Sequence, residues 1–201
     1  MAGEVSDVPE SWPVEGSEDL YRSELPFALR ADGVRHPDEP DGEPFTRVVL
    51  EHPGAVVVLA VDDDERVLCL RQYRHPARMR MLELPAGLLD VAGEHPEATA
   101  RRELLEEAGL EADVWRPLVS AYSSPGISTE EIHYFLARGL RPADRGDFRP
   151  AHEEADMETL WVPFDDLLAA CLDGRAHDAP VMVAVLTAHA RGLVGTGAPT
   201  H

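Results

Sequence analysis

The chain of 201 residues carries 38 Asp and Glu against 18 Arg and no Lys, giving a formal net charge of −20. With 44% hydrophobic and 28% charged residues, it has the composition of a folded protein with one main core. Such acidity argues against nonspecific binding to nucleic acid or to an anionic membrane surface, both of which need basic faces. No apolar run approaches the roughly eighteen residues of a membrane span, and the opening MAGEVSDVPESW is acidic without an apolar signal core. A soluble cytoplasmic protein is expected. Cys69 and Cys171 lie far apart in apolar stretches, the pattern of two reduced core thiols rather than a disulfide framework or a zinc site.

Residues 1–40 are rich in Pro, Glu, Asp and Ser with weak periodicity, and about the first fifteen read as a disordered tail. EPFTRVVLEHP (43–53) reads as a strand of a small N-terminal sheet. GAVVVLAVD (54–62) is a β-branched run typical of a buried strand; DDDER turns the chain, and VLCLRQYR (67–74) returns it as the second arm of a hairpin. LELPAGLL (82–89) is extended and enters a loop. A helix is expected over 96–108, with Pro96 at its first position, Gly109 as its cap, and Ala100, Leu104, Leu105 and Ala108 as its apolar stripe. Strands follow at 113–123, 130–140 and 157–164, and helices at 164–174 and 178–193, before a loose tail, VGTGAPTH. This order predicts an α/β fold, a mixed sheet with helices on its faces. The expected organisation is an N-terminal region 1–52, a main domain 53–193 and a tail 194–201.

The helix at 96–108 poses an electrostatic problem. Glu103 and Glu107 are four apart and share a face, and Glu106 flanks them. Carboxylates so placed repel one another unless a cation lies among them. The cluster holds no His or Cys, so its chemistry suits Mg²⁺ or Mn²⁺ and suits zinc poorly. A solvated acidic face neutralised by Arg101 and Arg102 accounts equally well for the spacing alone. Arg71, Arg74, Arg78 and Arg80 form a basic island with no acid inside it, a place where an anion can be held.

The longer string decides between the two. Glu94, seven residues, then Arg102-Glu103-Leu-Leu-Glu106-Glu107-Ala-Gly109-Leu resembles the signature box of the Nudix hydrolases. Gly87 opens it, with six residues before Glu94 where the family pattern has five. The resemblance extends over roughly 43–192, and LRQYRHP, ELPAGLL, SSPG and HEEADM are most similar to actinobacterial-type ADP-ribose pyrophosphatases. It implies an α/β/α sandwich with a mixed sheet, together with a small N-terminal antiparallel region that exchanges between the subunits of a homodimer. The implied activity is Mg²⁺-dependent (or Mn²⁺-dependent) hydrolysis of ADP-ribose to AMP and ribose 5-phosphate.

The same resemblance implies roles for particular residues. Glu103, Glu106, Glu107, the Ala86 carbonyl and Glu153 would hold metal, and Arg102 would steady the glutamates. Glu153 would act as the base, with Glu154 as the second choice. Arg71 and Arg74 would contact the diphosphate or terminal ribose, and Arg47, Glu83, Pro125 and Gly126 would belong to the substrate pocket. Two alternatives remain open at this point: hydrolysis of another nucleotide sugar such as GDP-mannose, and a noncatalytic module that senses ADP-ribose.

Overall fold

In a computed structural model, which describes residues 5–39, 41–145 and 157–195, the chain starts with three strands: β1 (Val14–Arg22), β2 (Ala28–Val34) and β3 (Phe45–Glu51). They form an antiparallel sheet in the order β1-β2-β3. β1 and β2 lie in the stretch where the sequence shows only weak periodicity, and β1 begins inside the segment expected to be a disordered tail. The physical reason is that every residue of β1 is exposed. With no buried face, the strand has no reason to alternate, and pairing rather than burial holds it. Side chains reinforce that pairing: Ser17 Oγ donates to Asp32 Oδ1 at 2.6 Å, and Arg22 bridges Asp19 and Glu51 at 2.7 and 2.8 Å. The loop Ser124–Thr129 belongs to this unit, through Leu50 N to Ile127 O at 2.7 Å and His52 N to Thr129 Oγ1 at 2.9 Å.

The second unit holds β4 (Ala55–Ala60), β5 (Arg66–Arg74), β6 (Met79–Glu83), β7 (Ala86–Leu88), α1 (Pro96–Ala108), β8 (Leu110–Tyr122), β9 (Glu131–Pro142), β10 (Glu158–Pro163), α2 (Phe164–Leu172) and α3 (Ala179–Ala190). β4 pairs parallel with β9 on one edge and antiparallel with β7 on the other, within a sheet ordered β7-β4-β9-β8. A second sheet runs β10-β5-β6. The expected hairpin of β4 and β5 therefore does not extend beyond its turn. The turn closes, with Asp62 Oδ1 accepting from Asp64 N and Arg66 N, and a single bridge joins Val61 to Val67. Beyond that bridge both edges of β4 are already taken, so β5 pairs elsewhere.

Alternation along β4 divides the core in two. Val56, Val58 and Ala60 pack with Leu68, Phe135 and Ala137 against Ala100 and Leu104 of α1. Ala55, Val57, Leu59 and Val61 face the other way, onto Phe164 and Leu167 of α2 and Val181, Ala184 and Val185 of α3. A strand buried on both faces reads as an unbroken apolar run, which is why this one was visible in the sequence. The result is the expected α/β/α sandwich with a mixed sheet. Cys69 and Cys171 are both buried free thiols in the α2–α3 core. Val194, expected to begin a loose tail, is buried in that core, and Gly195 N donates to Glu65 Oε2 at 3.1 Å.

α1 has the limits its sequence predicts. The His95 ring accepts from Glu97 N, and Gly109 closes the helix in the left-handed region (φ 64°), donating to Leu105 O at 2.8 Å. Leu104 is fully buried beneath the helix and fixes how α1 lies on the sheet. Leu104→Ala is expected to lower unfolding free energy by about 2–5 kcal/mol, seen as a fall in denaturation midpoint at an unchanged slope.

Candidate active site

The short strand β7 runs beside α1 and brings backbone to carboxylate. Ala86 N donates to Glu107 Oε2 at 3.0 Å. At Gly87 the approach is closer still: a Cβ there would overlap the carboxyl group of Glu103. Glycine is required at this position by contact, since its φ is not in the left-handed region. Two of the three clustered glutamates are thus seated against β7 by its backbone.

Arg102 handles the remaining repulsion. Its Nη1 donates to Glu103 Oε1 at 2.6 Å and to Glu106 Oε2 at 3.1 Å, and its Nη2 to Glu94 Oε2 at 3.4 Å. Thr99, fully buried, donates to the same Glu94 oxygen at 2.8 Å. Glu94 therefore staples the incoming loop to the helix. The additional residue between Gly87 and Glu94 is absorbed by a turn, Glu94 N to Val91 O at 3.1 Å, with Gly93 at φ 80°. Among the described residues, Arg102 Nε is buried with no hydrogen-bond partner. Burial pushes the Glu103 carboxyl up to about 7; Arg102 opposes this, and the Glu106 and Asp90 charges add to it.

These donors suit a hard divalent cation in kind, being carboxylate oxygens with no thiol or imidazole among them. Desolvated, mutually repelling carboxylates are stabilised by such a charge. Among the described residues, no three Asp, Glu, His or Cys side chains already converge as a ligand set. Arg102 and the Ala86 amide occupy the glutamate oxygens instead.

Arg74 and Glu83 stand near this cluster and are joined to each other. Arg74 Nε and Nη2 donate to Glu83 Oε1 and Oε2 at 2.8 and 2.7 Å, and Gln72 Nε2 adds a bond to Oε2 at 2.8 Å. The charges of Asp178 and Glu107 both act on Arg74. Asp178 caps α3 by accepting from Val181 N at 2.9 Å, and burial pushes its carboxyl up to about 6, the Val181 bond opposing the shift. Gln72 and Asp178 are absent from the sequence-based assignment. The spacing of Gln72 and Arg74, two apart on a strand, was the available signal for the first; nothing local marked the second.

Arg71 and Arg74 were grouped as diphosphate contacts, but they are three apart on β5 and so face opposite ways. Arg71 lies in line with Cys69 and approaches Glu158 at 3.6 Å on an exposed surface. Arg47, Pro125 and Gly126 belong to the N-terminal unit, where Arg47 lies over the Phe45 ring at 4.4 Å. Glu153 and Glu154 fall outside the described residues. A cleft of about 410 Å³ lies along α1, lined by Arg101, Arg102, Leu105, Glu111, Ala112, Trp115 and Arg141. Its arginines are engaged internally, Arg101 with Glu97 and Trp115, and Arg141 with Glu111 and Asp113.

The NUDIX domain matches residues 51–185, and the chain belongs to that family. It is 45% identical over 174 residues to the ADP-ribose pyrophosphatase of Mycobacterium tuberculosis, covering 87% of this chain and 81% of that protein. It is 36% identical over 146 residues to the ADP-ribose pyrophosphatase of Bacillus subtilis, covering 73% and 77%. A crystal structure of an ADP compounds hydrolase shares the fold, with a TM-score of 0.72 at 21% identity over 94% of this chain and 100% of that one.

The contact at Gly87 gives a direct test. Gly87→Ala is expected to push the Glu103 carboxylate off its seat and to weaken Mn²⁺ binding, followed by paramagnetic resonance, by about tenfold or more. Gly16→Ala, where an added Cβ meets nothing within 4 Å, should change nothing.

Proposed function

We propose that the protein is a hydrolase that cleaves the diphosphate bond of ADP-ribose, releasing AMP and ribose 5-phosphate. The observation that carries this reading is the complete glutamate cradle of α1, docked on β7, in a chain 45% and 36% identical to two ADP-ribose pyrophosphatases. A noncatalytic sensor has no need to retain every box glutamate and the arginine that steadies them.

The substrate is a dianion approaching a protein of net charge −20, so local neutralisation must precede chemistry. A divalent cation such as Mg²⁺ or Mn²⁺, held by Glu103, Glu106 and Glu107 with the Ala86 carbonyl and Glu153, would neutralise phosphate charge and activate water. Arg102 keeps the glutamates separated and oriented by charge-assisted hydrogen bonds. Arg74, on which the charge of Glu107 acts, offers guanidinium donors to a diphosphate oxygen; Arg47, Pro125 and Gly126 stay proposed as substrate contacts, and Arg71, on the opposite face of β5, as a contact separate from that of Arg74. Glu153 takes the proton of the attacking water. Water oxygen then bonds to one phosphorus, the bridging P–O bond breaks, and the bridging oxygen leaves with the other phosphate.

A homodimer belongs to the same reading. It is supported by β1, which exposes Val14, Leu20 and Tyr21 at 53, 50 and 56%. A cytoplasmic setting is consistent with the two free cysteines and with the absence, among the described residues, of any helix long and apolar enough to cross a membrane.

AMP release should be fastest from ADP-ribose when compared with GDP-mannose, ADP-glucose and NADH, and EDTA should stop it. Faster release from one of the other three would keep the family and remove the substrate assignment. Glu107→Gln should lower kcat by about 100-fold or more without unfolding the chain. Glu153→Gln should lower kcat by about 10²–10⁴-fold with little change in KM; the same loss in Glu154→Gln instead would move the base by one residue.

A further inference from the structure

β5 and β6 form an antiparallel pair in which Glu83 lies opposite Leu70, Gln72 opposite Met81 and Arg74 opposite Met79. Leu70, Gln72 and Arg74 alternate onto one face, and Glu83, opposite Leu70, shares it. Gln72 thus stands between Arg74 and the carboxylate that Arg74 reaches. Glu83 is a buried acid, 5% exposed, and Gln72 is 6% exposed, whereas the Arg74 side chain is half exposed.

Three hydrogen bonds converge on the Glu83 carboxylate. Arg74 uses Nε and Nη2 in a forked pair, and Gln72 Nε2 completes the Oε2 coordination. The fork fixes the guanidinium plane and consumes one of its edges. Among the described residues, Nη1 makes no hydrogen bond or ion pair. It is left as a donor on a half-exposed side chain held by a buried anchor, and the charge of Glu107 on the glutamate helix acts on that guanidinium.

The amide at 72 has a chemical logic. A second cation there would share Glu83 and loosen Arg74, and a carboxylate would compete with Glu83 for the arginine. A neutral donor satisfies the carboxylate's spare lone pair and leaves the fork intact.

We propose that Gln72 is a positioning residue for the diphosphate: it locks Glu83, and Glu83 aims the outer edge of Arg74 at a phosphate oxygen. Glu83 is then an anchor for the arginine and not a contact of the substrate. The inference rests on the reading of the protein as a diphosphate hydrolase, and its test separates the two.

The test follows the Arg74 Nε–H resonance by ¹⁵N NMR in EDTA, with inorganic pyrophosphate as the probe, in the wild-type protein and in Gln72→Met and Gln72→Glu. Thermal unfolding of each variant confirms the fold, and Gln72→Glu preserves side-chain volume if Gln72→Met packs poorly. In the wild type the Nε–H should exchange slowly with solvent and shift on pyrophosphate addition. Both variants should exchange faster and bind pyrophosphate about tenfold more weakly, the scale of one hydrogen bond to a charged group. In turnover of ADP-ribose, Gln72→Met should raise KM by a similar factor with a smaller change in kcat. In an Arg74→Met background the same substitution should have less than about a twofold effect.

An Arg74 resonance indifferent to pyrophosphate would overturn the proposal. So would an equal effect of Gln72→Met with and without Arg74, which would mark a purely structural role. If wild-type protein bound pyrophosphate at Arg74 but released no AMP from ADP-ribose, the clamp would stand and the substrate assignment would fall.

Discussion

Everything at this site depends on one close approach, that of the β7 backbone to the carboxylates of α1. Three glutamates within five positions of a helix repel one another. The fold nevertheless draws two of them onto the edge of a sheet, where dehydration raises the cost further. The approach is possible because residue 87 has no side chain to occupy the space of the Glu103 carboxyl and because Ala86 supplies an amide to Glu107. Leu104, one residue from Glu103 and buried in the sheet core, sets the depth at which the helix rests. The acidic face and the apolar face of α1 are therefore not independent. The apolar face holds the acidic one where its own charges disfavour it, and the energy for this comes from the core.

Arg102 occupies the centre of that conflict. It reaches Glu94, Glu103 and Glu106 at once, so one guanidinium separates the two clustered acids it touches and ties the preceding loop to the helix. This explains why the loop tolerates an additional residue. The turn at Val91–Glu94, with Gly93 in the left-handed region, takes up the slack, and Glu94 still arrives at Thr99 and Arg102. The constraint is on where Glu94 ends, and the path to it is free to vary.

What the sequence disclosed follows from what each element must satisfy. β4 and α1 were readable because burial dictates their residues: β4 is apolar on both faces, and α1 carries its stripe, a proline near its start and a left-handed glycine at its end. β1 was unreadable because nothing in it is buried. The β4–β5 hairpin failed for a topological reason. The local turn is correct, but both edges of β4 belong to strands distant in sequence, and no local pattern records which edge is free. Among site residues, the glutamates were legible through spacing. The opposite orientation of Arg71 and Arg74 was also legible, since three residues along a strand reverse the face. The partnership of Arg74 with Glu83 was not, because it depends on the register of β5 against β6.

The arginines show how an acidic protein can hold an anion. Many are committed to acids of the chain itself: Arg22 to Asp19 and Glu51, Arg66 to Asp62, Arg101 to Glu97, Arg138 to Glu65. A guanidinium paired with a carboxylate offers little net charge, and the surrounding field repels a diphosphate. What such a pair can still offer is direction. A buried carboxylate that grips one edge of an arginine turns the other edge outward and keeps it there, so the entropy of ordering a long side chain is lost at folding and not at binding. Net charge then governs how slowly a phosphate arrives, and geometry governs how well it is held. An acidic surface relieved at one point by a divalent cation and by one aimed guanidinium would admit an anion there and repel it elsewhere, which makes the negative charge a source of selectivity for the site.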